Sequence, residues 1–216
     1  MPDRWFGDRH ARDTDASMKN DQYINRFLLQ MNQALEQVSR PDIDAAIELL
    51  FQTWHRGGTV FIAGNGGSAS TASHFACDLA KWTICEGKSR FRVMALTDNM
   101  PLFSALMNDE GTASVYSEQL APFIGAGDLL ILISVHGGSG EGNAGSWSQN
   151  LLRALSLARE RGADCLGFSG FDGGALEQMA DVCVTVPMES TPHVESVHLA
   201  LEHLICDCLR QRISSS

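Results

Sequence analysis

Positive charge is scarce in this sequence: 16 Lys and Arg stand against 26 Asp and Glu, for a formal net charge of −10. A general nucleic-acid binder needs a basic stripe to displace phosphate counterions, so that class is disfavoured, although a local Lys or Arg cluster could still hold one phosphate. Paired cysteines are missing too. The six cysteines, at 77, 85, 165, 183, 206 and 208, contain no C-x-x-C spacing. Most lie in apolar runs such as ADVCVTV and LICDCL, where cysteine acts as a small buried hydrophobe, so no disulfide framework is expected. No apolar stretch reaches the length of about 18 residues that a membrane span requires. The opening segment MPDRWFGDRHARDTDASMKND is too polar for a signal peptide. No internal repeat or low-complexity tract stands out. The expected setting is a reducing cytoplasm, without membrane or nucleic-acid partners.

What remains is a chain of 216 residues, 44% apolar, enough for one sizeable core and a helical appendage. Residues 1 to 18 are charged and aperiodic and read as a disordered tail. From Asp21, the residues Tyr23, Ile24, Phe27, Leu28, Met31, Leu35 and Val38 recur at helical spacing. Pro41 opens a second helix with Ile43, Ala46, Ile47, Leu50 and Trp54 on one face, and Gly57-Gly58 closes it. The apolar stripe of this 19–56 segment suits either core packing or an oligomer bundle.

From 57 to 213 the pattern changes to short apolar runs alternating with helices. TVFIAG, FRVMALT, DLLILISV, DCLGFSG and DVCVTVP are the candidate strands. Their nearly continuous apolar character fits strands covered on both faces. Helices read most clearly at 68–82, 148–161 and 193–212, with shorter ones between 99 and 121. The fold class is therefore α/β, a three-layer sandwich with a five-stranded parallel sheet, preceded by N-terminal helices.

Ligands in such folds sit beyond the carboxyl ends of the strands. The first strand end carries GNGGSAS, which opens a helix and offers backbone N–H groups to an anion. The third central strand ends in SVHGGSG, where Ser134, His136 and Ser139 are donors. Each loop alone is ordinary turn chemistry. Together at neighbouring strand ends they suit a small phosphorylated ligand. A dinucleotide is the alternative, because Gly64-x-Gly66-x-x-Ala69 fits a nucleotide fingerprint. It needs an acidic residue ending the second strand, and Asp98 comes 34 residues after Gly64, well past the usual ~20. No nucleotide cofactor is expected.

His74 and Asp78 are spaced i, i+4 and share a helix face. The last helix adds Glu195, His198, Glu202 and His203. Glu195 and His203, eight apart, lie about 80° from one another around the helix. His198 and Glu202 are also i, i+4, so spacing leaves open which pair points inward. A lone histidine reads as structural, whereas two helices each with a His/carboxylate pair also suit a metal or acid–base site.

GNGGSASTASHFACDLA, LMND, ISVHGGS, GFDGG and VESVHLALEHLI together resemble the sugar isomerase (SIS) domain family, and within it the phosphoheptose isomerases. Those enzymes convert sedoheptulose 7-phosphate to D-glycero-D-manno-heptose 7-phosphate. The resemblance runs from about Asp21 to Leu209 and implies a flavodoxin-like or Rossmann-like sheet. It also implies a homotetramer, with a central helix bundle and active sites between subunits. Carried over, it places substrate contacts at Asn65, Gly66, Gly67, Ser68, Asn108 and Asp109, with a phosphate loop at Ser134, Val135, His136 and Ser139. It assigns zinc to His74, Asp78, Glu195 and His203, with Asp78 as general base and His203 as the other acid–base group. Asp78 and Glu195 would also touch the sugar. Aldose–ketose isomerisation through an enediol needs a base, an acid and a stabilised oxyanion, which this set supplies.

This sequence departs from the family pattern in places. Aspartate at 78 replaces glutamate, roughly 1.5 Å shorter in reach. Glu195 replaces glutamine and adds charge. Trp82 beside Lys81 replaces an arginine, and Pro192 replaces an aspartate. GEGNAGSW, 140–147, is an insertion beside the phosphate loop. These put the sugar in question more than the reaction. The rival readings are a non-catalytic SIS protein, either a phosphosugar sensor or a replication-initiator-binding tetramer, and an isomerase of another phosphosugar. A role in lipopolysaccharide or surface polysaccharide precursors is implied by the resemblance alone.

Overall fold

The computed structural model describes residues 19–138 and 148–216. The expected tail at 1–18, Ser139 and the 140–147 insertion lie outside the described residues. Two helices come first, α1 (Asn20–Gln37) and α2 (Arg40–His55). The Ser39 hydroxyl caps α2 by accepting from the Asp42 N–H at 3.4 Å, with Pro41 in the first turn where a missing N–H costs nothing.

Strands and helices then alternate: β1 (Thr59–Gly64), α3 (Gly67–Lys81), β2 (Arg92–Ala95), α4 (Met100–Asp109), α5 (Val115–Leu120) and β3 (Leu129–Ile133). They continue as α6 (Gln149–Glu160), β4 (Asp164–Gly170), α7 (Gly174–Met179), β5 (Val182–Val186) and α8 (Thr191–Ser215). All neighbouring strands pair in parallel, in the order β2-β1-β3-β4-β5, the order of flavodoxin-like folds. The chain reverses its direction across the sheet between β1 and β3, so their carboxyl ends flank the switch point.

Successive side chains of a strand face opposite ways, and here both faces are buried. Val60, Ile62, Leu129, Ile131 and Phe168 pack with Leu50 of α2, Phe75 and Leu79 of α3, and Val197 and Leu201 of α8. Phe61, Ala63, Leu130 and Leu132 pack on the other side with Tyr116 of α5 and Leu151 and Leu155 of α6. That division accounts for the unbroken apolar strands. β2 is an edge strand of four residues, shorter than the FRVMALT run, and Arg92 and Met94 on it are exposed. α7 was not expected from the sequence.

The α1 stripe divides between the two roles it suits. Ala34 and Val38 are buried in the core, and the Phe27 ring sits 4.1 Å from that of His193 on α8. Tyr23, Ile24 and Leu28 are each more than half exposed.

Candidate active site

At the switch point, β1 gives way to a turn in which Gly66 has φ 58, a left-handed conformation that glycine adopts without steric cost. Gly67 then begins α3, and a Cβ there would collide with the carboxylate of Glu195 reaching across from α8. Asn65 is held by a reciprocal amide pair with Asn150 of α6, at 3.0 and 2.8 Å. Tyr116 also donates its hydroxyl to the carbonyl of Gly64, pinning the end of β1.

The loop after β3 lies beside it. The Ser134 hydroxyl accepts from the Gly138 N–H at 3.2 Å, which leaves its own proton for another acceptor. His136 rests against Phe171, whose φ of 56 is unusual outside glycine, with ring centroids 4.4 Å apart. Burial pushes the His136 pKa down, against an opposing pull from Asp172. Gly137 packs on Gly173 so closely that a Cβ would run into the Gly173 carbonyl, and the Leu176 N–H donates to the Gly137 carbonyl at 2.8 Å. The GFDGG segment and α7 thus buttress the loop from behind.

These loops enclose a cavity of about 140 Å³ whose walls include Asn65, Ser68, Ser134, Val135, His136 and Glu195. A wider cleft of about 790 Å³ runs along β2, lined by Ser73, Cys77, Met94, Asp98 and Phe123. It contains none of the expected sugar contacts. Asp98, the carboxylate on which the dinucleotide alternative depends, lines that cleft and accepts a hydrogen bond from Ser73. Asn108 and Asp109 sit exposed at the end of α4, hydrogen-bonded to each other at 2.6 Å, and do not reach the loop cavity of their own chain.

Further along the same two helices, α3 and α8 bring together His74, Asp78, Glu202 and His203. One donor atom from each lies within 4.8 Å of the others. His203 Nε2 is 3.6 Å from Asp78 Oδ2 and 3.7 Å from Glu202 Oε1. His74 Nδ1 is 3.6 Å from Glu202 Oε1, and its Nε2 is 3.9 Å from Asp78 Oδ1. These separations exceed those of normal hydrogen bonds. With one donor atom from each residue the four lie within 4.8 Å, against the roughly 3.3–3.4 Å edge of a tetrahedron of donors about an ion bound at ~2.0–2.1 Å.

Glu202 is the residue whose role the spacing left open. It is 1% exposed, and neither carboxylate oxygen has a hydrogen-bond partner among the described residues. Burial, with the Asp78 charge second, pushes its carboxyl up to about 8. Its i, i+4 neighbour His198 turns to the core instead and donates from Nε2 to the Ser169 carbonyl at 2.9 Å. Burial lowers the His198 pKa to about 4. Glu195, expected among the metal ligands, stands apart from the cluster in the wall of the loop cavity.

Two imidazoles and two carboxylates are a donor set suited to zinc or another divalent ion, and the orphaned Glu202 carboxylate supports the fit. Among the described residues no helix is long and apolar enough to cross a membrane.

Comparison with known proteins bears on the family and the fold. The chain is 49% identical over 171 residues to the lincomycin biosynthesis protein LmbN of Streptomyces lincolnensis, covering 77% of this chain and 61% of that protein. It therefore spans less than two thirds of that relative's length. It is 33% identical over 175 residues to a phosphoheptose isomerase of Rhodospirillum rubrum, covering 81% of this chain and 88% of the other. The solved phosphoheptose isomerase GmhA of Neisseria gonorrhoeae superposes with a TM-score of 0.76 at 29% identity, covering 88% of this chain and 98% of that one. The family model described as the SIS domain matches residues 22–170, which include the turn after β1, the loop after β3 and four of the five strands. With the fold, the two loops and these relatives in agreement, this chain belongs to the SIS domain family.

Proposed function

We propose that this protein is an aldose–ketose isomerase of phosphorylated sugars, with sedoheptulose 7-phosphate and D-glycero-D-manno-heptose 7-phosphate as the pair it interconverts. The observation that carries this reading is the convergence of His74, Asp78 and His203 on the helices that also border the loop cavity. With a rise of 1.5 Å per residue, His74 lies about 9 Å beyond Ser68 along α3. A sugar phosphate anchored at one end would present the other end to the acid–base groups.

Ser68, Ser134 and the amino end of α3 hold the phosphate, and Ser139 adds a hydroxyl by the family pattern. Asn65 and Glu195 meet sugar hydroxyls, and anchoring the remote phosphate orients the reacting carbons. Asp78 removes the proton from the carbon next to the carbonyl and delivers one to the former carbonyl carbon, while His203 moves a proton between the two oxygens. His74, Asp78 and His203 would hold zinc, which when bound supplies Lewis-acid stabilisation of the negative charge on the sugar.

The exposed apolar edge of α1 supports a homotetramer in which residues 19–56 form the shared bundle and 57–213 the SIS domain. Active sites between subunits would give Asn108 and Asp109 a role that they do not have within one chain. A cytoplasmic setting suits the free cysteines of the described residues.

A second reading keeps the chemistry and changes the sugar. It is favoured by the 49% identity to a protein named for lincomycin biosynthesis and by aspartate at position 78. Incubating zinc-loaded protein with sedoheptulose 7-phosphate and with shorter and longer ketose phosphates tests both. Turnover of the heptulose supports the first reading, and preference for another chain length supports the second. No turnover of any of them refutes the enzyme.

A further inference from the structure

We propose that Glu202 is the fourth metal ligand of this chain, so that His74, Asp78, Glu202 and His203 complete the site and Glu195 serves the sugar instead. The inference rests on the metal-assisted reading above and concerns which side chains hold the ion.

Four observations point to Glu202. First, its carboxylate is 1% exposed with both oxygens unpartnered among the described residues. A buried carboxylate without hydrogen bonds is costly, and a divalent cation shared with the neighbouring imidazoles offsets that cost. Second, its Oε1 stands 3.6 Å from His74 Nδ1 on α3 and 3.7 Å from His203 Nε2 on α8. Third, the nearest polar side chain within α8, His198, spends its Nε2 on the Ser169 carbonyl, and its Nδ1 has no hydrogen-bond partner among the described residues, so it makes no bond to Glu202. The other titratable groups facing it are Asp78 across the helix pair and Cys206 one turn on, and neither donates a hydrogen bond to it.

The fourth observation concerns the residue displaced from the role. Glu195 reaches over Gly67, where only a hydrogen leaves room for its carboxylate, and closes the loop cavity beside Asn65 and Ser68. Eight residues of α8 separate it from His203, about 12 Å along the axis. A carboxylate in that place can accept from sugar hydroxyls, and the absent side chain at Gly67 is what admits it. The ligand set then comes from α3 and α8 of a single chain.

The test is zinc affinity, measured on the purified full chain by competition with a chromophoric chelator in the absence of sugar. E202Q should weaken zinc binding by about tenfold or more, and E195Q should change it by less than about twofold. The shorter carboxylate of E202D should fall between wild type and E202Q, which guards against a variant that merely misfolds. Cobalt-loaded E202Q should show a changed visible absorption spectrum, while cobalt-loaded E195Q should match wild type. Full zinc affinity in E202Q, or its loss in E195Q with retention in E202Q, overturns the proposal. Because no substrate is present, inactivity toward sugar phosphates would sink the isomerase reading without touching this result.

Discussion

His203 Nε2 on α8 stands 3.6 Å from Asp78 Oδ2 on α3, a pairing of two residues that lie 125 positions apart in the chain. The His203 side chain is 50% accessible and Asp78 21%, so both are open to a ligand and to solvent. Replacing either by H203A or D78N should lower kcat by about 10²- to 10⁴-fold, the usual worth of a positioned acid or base. Because His203 is half exposed, H203A should shift unfolding free energy by no more than about 0.5 kcal/mol. Steady-state kinetics alongside urea denaturation separates a chemical role from a structural one. Equal loss of stability and rate would favour the structural role.

Gly67 and Glu195 should behave as a coupled pair. In G67A the new methyl meets the far end of a flexible side chain, so the fold should be retained within about 1 kcal/mol while Glu195 is pushed from the cavity wall. KM for the sugar phosphate should rise several-fold. In an E195A background the same G67A change should add little, since the group it displaces is gone. Full additivity of the two effects on KM would show that they act separately.

Gly137 allows no such accommodation. Its φ is 61, and a Cβ would meet the backbone carbonyl of Gly173, which cannot swing aside as a side chain can. G137A should cost at least about 2 kcal/mol of stability and disturb the loop after β3 as well. A thermal melt together with KM checks this, and a wild-type melt would show that the loop does not depend on that close approach.

His198 should set part of the acid stability. Its pKa is lowered by burial from 6.5 to about 4, so below pH 6.5 the unfolded chain takes up a proton that the folded chain refuses. Stability is therefore complete above pH 6.5 and lost as pH falls toward 4, by about 3 kcal/mol from this residue at 1.36 kcal/mol per unit. Urea midpoints measured on metal-free protein across that range should fall more steeply for wild type than for H198Q. Parallel curves would contradict the assignment.

The central strands β1, β3 and β4 were legible because both their faces are buried, which makes Leu129 to Ile133 apolar without a break. The edge strand β2 was overread for the opposite reason: Phe91 and Leu96, which flank its four residues, are buried and lengthen the apparent run. α7 escaped notice since six residues with one buried apolar anchor, Leu176, give no measurable period. At the site, the i, i+4 spacing paired His74 with Asp78, and the family resemblance, not spacing, singled out His203. Glu202 was visible but unassigned, because its spacing pairs it with His198 on its own helix. Only the packing of α3 against α8 shows that His198 faces Ser169 and Glu202 faces His74. The link between Asn65 and Asn150 spans 85 residues and has no local signature at all.

The central claim is proton transfer through an enediol at the Asp78–His203 pair. It is tested most directly by turning over sedoheptulose 7-phosphate in deuterated water with zinc-loaded protein and locating the label in the product by mass spectrometry or NMR. Since Asp78 is partly open to solvent, the abstracted proton should exchange before it returns. The product should be an aldose phosphate carrying deuterium at the carbon next to its carbonyl, with its formation suppressed in H203A and D78N. An aldose without label, or no aldose, would contradict it.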